Sequence, residues 1–164
     1  MSNNVVPPEV LLTMPARPEG VAVVRQALAG MADALDFEPS VLADMKMAVT
    51  EACTNVVVHA YEEKAGVLEV EMLADESGVT IVVRDHGAGI QPRPARSEPP
   101  ALGLGLPLIA ALSDSFELRG SAGQGTEVRM TFAYAHNDDR DASVPGGVGL
   151  DGRWDSDVGD QPAS

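Results

Sequence analysis

The stretch Met45-Lys46-Met47-Ala48-Val49-Thr50-Glu51-Ala52-Cys53-Thr54-Asn55-Val56-Val57-Val58-His59-Ala60-Tyr61 decides how the rest of the chain is read. Leu42, Met45, Val49, Ala52 and Val56 recur at helical spacing, and Pro39 and Ser40 precede them, so the pattern predicts a helix over about 40–61. Glu51, Asn55 and His59 are four apart and drift only about 80° around such a helix, forming one polar stripe away from the apolar one. Asp44 falls on the same face. A carboxylate, a carboxamide and an imidazole in a row can position a metal ion and a water or hydroxyl. Glu51 is then a candidate general base. Asn55 offers a neutral oxygen of the kind that suits Mg²⁺, an ion that takes few protein ligands. Taken alone, the row reads first as the polar face of an ordinary solvated helix.

Before this helix, Glu9-Val10-Leu11-Leu12-Thr13-Met14 reads as a strand ended by Pro15. Pro18 can open a helix running to about Leu35, with Val21, Val24, Leu28 and Met31 as its apolar stripe. After it, Gly66 breaks the chain. Residues 67–73 alternate as a strand, 75–78 turn, and Val79 to Arg84 form a strand apolar enough to be buried on both faces. Residues 86–101 are rich in Gly and Pro and read as a loop. Residues 104–112 are a short helix, and Phe116-Glu117-Leu118-Arg119 and Thr126 to Phe132 are strands around a 120–125 turn. Helices and strands are segregated, which argues an α+β domain: a mixed, mostly antiparallel sheet with helices on one face.

Composition narrows the function classes. The 164 residues carry a net charge of −14, from 25 acidic and 11 basic residues. Such a field repels phosphate backbones, and no basic patch offsets it, so direct nucleic-acid binding is not expected. No apolar run approaches the roughly 20 residues of a bilayer span, and the N-terminus lacks a signal-peptide pattern, so a cytoplasmic protein is expected. One cysteine, Cys53, excludes an internal disulfide framework and a Cys-rich zinc site. Residues 135–164 hold seven Asp against two Arg. With Pro145-Gly146-Gly147 and little apolar periodicity, they read as an acidic, disordered tail after a folded domain at 8–134. Trp154 in that tail is either simply exposed or a docking anchor.

Three further segments carry chemistry. Arg84-Asp85-His86-Gly87-Ala88-Gly89-Ile90 follows a buried strand. Asp85 stands where a carboxylate can accept from an exocyclic amine, and Gly87 and Gly89 allow close backbone approach to a flat ring. Gly103-Leu104-Gly105-Leu106-Pro107-Leu108-Ile109 runs into a helix N-terminus, whose free N–H groups favour phosphate. It is neither a Walker loop nor a dinucleotide fingerprint. Gly123-Gln124-Gly125-Thr126 is a hairpin turn or a threonine ligand site.

In order, these segments resemble the N, G1, G2 and G3 boxes of the GHKL ATPase/kinase superfamily with its Bergerat ATP-binding fold. Within it, the 45–61 helix and the opening from Pro15 to Arg25 are similar to the anti-sigma-factor serine kinases. The resemblance covers about 9–133. It implies Mg²⁺ and ATP as cofactors. Glu51 takes the position of general base toward an acceptor serine, and Asn55 that of Mg²⁺ ligand. Asp85 takes the adenine-reading position, in a pocket shaped by Gly87 and Gly89. Gly103, Leu104, Gly105 and Leu106 cradle phosphates, and Thr126 lies near the adenine. His59 matches a family histidine of structural role, and Arg25 an arginine of the partner-binding surface. The lid between the first two glycine boxes, 91–102, is short and proline-rich. Its Arg93 and Arg96 are either phosphate contacts or solvated loop charges.

The function implied is an ATP-dependent anti-sigma factor and serine kinase, which sequesters a sigma factor and phosphorylates a STAS-type anti-anti-sigma protein. A homodimer is expected with it. The alternative is a non-catalytic ATP-binding module of the same fold that only captures a partner. A two-component histidine kinase is not expected, because no sensor or phospho-acceptor helix pair precedes the domain. A gyrase-like machine is not expected either, because no transducer follows.

Overall fold

A computed structural model describes residues 9–62, 64–89 and 105–135. Nine elements follow in order: β1 (Glu9–Pro15), α1 (Pro18–Ala34), α2 (Pro39–Asn55), a π-helical turn (Val56–Ala60), β2 (Val67–Ala74), β3 (Gly78–Asp85), α3 (Gly105–Leu112), β4 (Ser115–Gly120) and β5 (Thr126–Ala133). Pro18 and Pro39 sit in the first turns of α1 and α2, where a missing N–H costs no hydrogen bond.

The strands form one sheet in the order β1-β2-β3-β5-β4. The sequence suggested a mixed, mostly antiparallel sheet; among the described residues every neighbouring pair is antiparallel. The pleat separates two faces. Leu68, Val70 and Met72 of β2, Ile81 and Val83 of β3 and Val128, Met130 and Phe132 of β5 are buried in the core. Against them pack Val24, Leu28 and Met31 of α1 and Met45, Ala48, Val49, Ala52 and Cys53 of α2. The buried stripe of α2 begins at Val41 rather than Leu42, which is half-buried.

The other face carries charge. Arg84 of β3 reaches Glu71 of β2 and Glu127 of β5, each at 2.8 Å. Val82 is fully buried on this face, between its cross-strand neighbours Glu71 and Arg129. The long stems of such charged side chains cover an apolar residue while their heads stay wet. The predicted 40–61 helix does not run through unbroken. It is α-helical to Asn55 and turns π-helical over Val56–Ala60. Such single-turn widenings recur at functional sites.

Candidate nucleotide site

The π turn begins directly after Asn55, and it faces the C-terminal end of β3. Between them lies a cavity of about 190 Å³. Asn55 and His59 line it from the helix, Asp85 and Val83 from β3, Thr126 and Val128 from β5, and Leu106 from α3. Sites for whole drug-sized ligands usually span roughly 300–1,000 Å³, so this cavity is a small one.

Asp85 is the last residue of β3 and pairs in register with Leu68 on one side and Thr126 on the other. It is 6% exposed. A buried carboxylate needs hydrogen bonds, and Gly87 N–H donates to its Oδ1 at 2.9 Å. No second bond to this carboxylate occurs among the described residues, so one oxygen remains to accept from a ligand.

The glycines act by closeness. Gly89 has φ +71°, and a Cβ there would collide with the carbonyl of Ser121. Gly125 has φ +81°, and a Cβ would strike the carbonyl of Asp85. Gly123 N–H donates to Ala88 O at 2.8 Å, so the 121–125 turn and the 85–89 turn are fastened together. Gly87 does not line the cavity; its Cα packs on the carbonyl of Ala60, the end of the π turn.

Glu51 lies beyond the cavity, at the N-terminus of α3. A Cβ on Gly105 would collide with Glu51 Oε1 and stand 3.1 Å from Asn55 Nδ2. Glycine at 105 therefore lets the start of α3 approach the Glu51 and Asn55 side chains. A negative group at that helix end is stabilised by its free N–H groups, and a phosphate is favoured there for the same reason. Among the described residues no cluster of three or more His, Cys, Asp and Glu could hold a metal. A cation here would rest on Asn55 together with phosphate oxygens and water, which suits Mg²⁺.

Five residues singled out from the sequence thus meet on one cavity: Asn55, Asp85, Gly89, Leu106 and Thr126. Glu51 and Gly105 adjoin it. His59, assigned a structural role by resemblance, stands exposed on its wall. Arg25 lies in a separate groove with Ala22, Gln26 and Lys46. Gly103, Leu104, the 91–102 lid with Arg93 and Arg96, and the segment after Ala135 with Trp154 lie outside the described residues. Sequence reasoning missed the packing roles of Gly66, Gly125 and Tyr61. Their signal was only the presence of glycines and one aromatic next to the site.

Residues 14–132 match the histidine kinase-like ATPase domain family. The chain is 33% identical over 135 residues to the serine-protein kinase RsbW of Bacillus cereus strain AH820, covering 75% of this chain and 83% of that one. It is 33% identical over 130 residues to the anti-sigma F factor of Caldanaerobacter subterraneus, covering 74% of this chain and 91% of that one. Among solved structures, the RsbU and RsbW domains of Rv1364c from Mycobacterium tuberculosis share the fold. The TM-score is 0.57 at 24% identity, over 77% of this chain and 32% of that longer one. No helix among the described residues is long and apolar enough to cross a membrane. On that family match and these relatives, the chain belongs to the histidine kinase-like ATPase domain family.

Proposed function

We propose that this chain is an ATP-dependent anti-sigma factor and serine kinase. It holds a sigma factor and phosphorylates a STAS-type anti-anti-sigma protein on serine, acting in the cytoplasm as a homodimer. The convergence of Asn55, Asp85, Gly89, Leu106 and Thr126 on one cavity, with Glu51 beside it, carries the reading. The relatives named serine-protein kinase and anti-sigma F factor support it.

Bound Mg-ATP would supply the transferable phosphoryl group and neutralise its charge; the protein's own work is positioning. Asp85 accepts from the exocyclic amine of the base, and the close-packed Gly89 backbone lets the ring lie flat. The N-terminus of α3, following Gly103 and Leu104, holds the phosphates. Asn55 ligates the metal. Glu51 takes the proton of the acceptor serine hydroxyl. A phosphoserine adds about −1.5 to −2 charges to the antagonist. Arg25 belongs to the surface that meets the partners, and the kinase domain is residues 8–134, followed in the sequence by the acidic segment 135–164.

Titration calorimetry of the purified protein with Mg-ATP tests this, alongside Asn55→Ala and Asp85→Asn. Binding that both substitutions cripple supports the site, and phosphotransfer to a STAS protein is the next measurement. No binding at millimolar nucleotide overturns it. Should ATP bind and no phosphate transfer occur, with partner capture intact, the chain is instead a non-catalytic capture module.

A further inference from the structure

Tyr61 stands at the end of the π turn, outside the cavity. Its hydroxyl makes two hydrogen bonds that span the β2–β3 junction. It donates to Val67 O at 2.5 Å and accepts from His86 N–H at 2.9 Å. The antiparallel ladder of β2 and β3 ends at Leu68 opposite Asp85. The next pair along would be Val67 and His86. A phenol hydroxyl thus occupies the rung that a direct backbone bond would otherwise fill. It holds the two strands together where their ladder ends, next to Asp85.

The ring is seated as firmly as the hydroxyl. A Cβ on Gly66 would collide with the Tyr61 ring, so only glycine leaves room for it. Gly66 O in turn accepts from Ala16 N–H at 2.9 Å, which fixes that backbone to the end of β1. On the other side, Ala60 O accepts from Ala88 N–H at 3.0 Å, and Gly87 packs on the same carbonyl. His86 and Ala88 are therefore both tied to the π turn, one through Tyr61 and one through Ala60. Asp85 lies immediately before this clamped segment, and Gly87 N–H, within it, orients the Asp85 carboxylate.

We infer that Tyr61 is a positioning residue for base recognition: its hydroxyl sets the direction of the Asp85 carboxylate by anchoring the His86 amide to β2. The inference rests on the reading of Asp85 as the acceptor for the base amine and deepens it. Anchoring from the π turn also links the base end of the site to Asn55, one turn away on the same helix. Tyr61 does not line the cavity. Its loss therefore alters which base is preferred and leaves the metal requirement as it was.

The test compares ATP with inosine triphosphate, which has a carbonyl where ATP has the amine. Dissociation constants for both are measured on the full chain as wild type, Tyr61→Phe and Asp85→Asn, together with thermal melting and the Mg²⁺ dependence of binding. The phenylalanine keeps the ring and removes only the hydroxyl. Tyr61→Phe is expected to lower the ATP-over-inosine preference about tenfold, the worth of one well-placed hydrogen bond. The Mg²⁺ dependence stays unchanged. A lower melting temperature with full base preference makes Tyr61 merely structural and overturns the inference. If Asp85→Asn leaves the preference intact, the base reading itself fails, and the inference fails with it. A wild-type measurement decides the matter if Tyr61→Phe does not fold. Hydrogen exchange at the His86 amide is expected to slow on ATP more than on inosine triphosphate, and equal slowing overturns the inference.

Discussion

A carboxylate that is 6% exposed is tolerated only if its hydrogen bonds are made. Among the described residues Asp85 has one, from Gly87, and a bound base would add another. Asp85→Asn keeps the shape and exchanges an acceptor for a donor facing the amine. A hydrogen bond to a charged group contributes about 1.5–3 kcal/mol, so ATP affinity is expected to fall about 10- to 100-fold by calorimetry. Glu51 is the complementary case. It adjoins the cavity without lining it, beside Gly105 at the start of α3. Glu51→Gln is expected to reduce phosphotransfer about 10²- to 10⁴-fold in a single-turnover assay with labelled ATP, the usual worth of a general base. ATP affinity is not expected to weaken, because the change removes a negative charge from the phosphate end. A parallel loss of ATP binding would assign Glu51 to nucleotide binding instead. Asp85 and Asn55 were legible in the sequence because chemistry and spacing both marked them. Tyr61 was not: its role depends on a rung between strands that are adjacent only in the folded sheet.

Arg84 shows how one element is held from both sides. Its guanidinium on β3 bridges Glu71 of β2 and Glu127 of β5. The hydrogen bond from Arg84 holds the Glu127 carboxyl below its ordinary value near 4.5. The unfolded chain therefore binds that proton more readily, and the pair's stabilisation is present above that value and lost as pH falls below it. Pairs this accessible contribute about 0.2–1 kcal/mol each. Arg84→Met is expected to lower stability at pH 7 by about 1 kcal/mol in urea melts. It is also expected to flatten the acid-side decline between about pH 5 and pH 3. An unchanged decline would place the acid sensitivity in other carboxylates. The strands themselves were legible: alternation in β2 marks one buried face, and the apolar run of β3 marks a strand buried on both, as Val82 is on the charged side. Their order was not. Pairing β3 with β5 rather than β4 depends on contacts that no local pattern encodes. The break in α2 at Val56 was also hidden, because Val56, Val57 and Val58 continue a helical pattern whether they bond i to i+4 or i to i+5.

The whole molecule divides its chemistry between two faces. Helices and apolar side chains fill one side of the sheet, and paired charges cover the other; the full sequence carries a net charge of −14. Cys53 lies on the covered side, in α2 between Glu51 and Asn55, and is fully buried. Burial pushes its thiol from 9.0 up to about 12. The folded state thus keeps a proton that the unfolded chain releases. The contribution is complete below pH 9 and is lost as pH rises from there toward 12. At neutral pH the thiolate needed for alkylation forms only where the thiol reaches water. Alkylation of Cys53 therefore reports opening of the core, with no other cysteine to confuse it. A ligand that binds only the folded state suppresses that opening by mass action. Nucleotide at 100 times its dissociation constant stabilises by about 2.7 kcal/mol, so Mg-ATP at that level is expected to slow labelling by about 100-fold. Inorganic phosphate at the same concentration is expected to do far less, since it lacks the base that Asp85 reads. Labelling that ignores ATP would mean either that the folded chain does not bind nucleotide or that α2 opens alone. Mass spectrometry of backbone exchange separates the two, because a local opening leaves β3 and β5 protected while α2 exchanges.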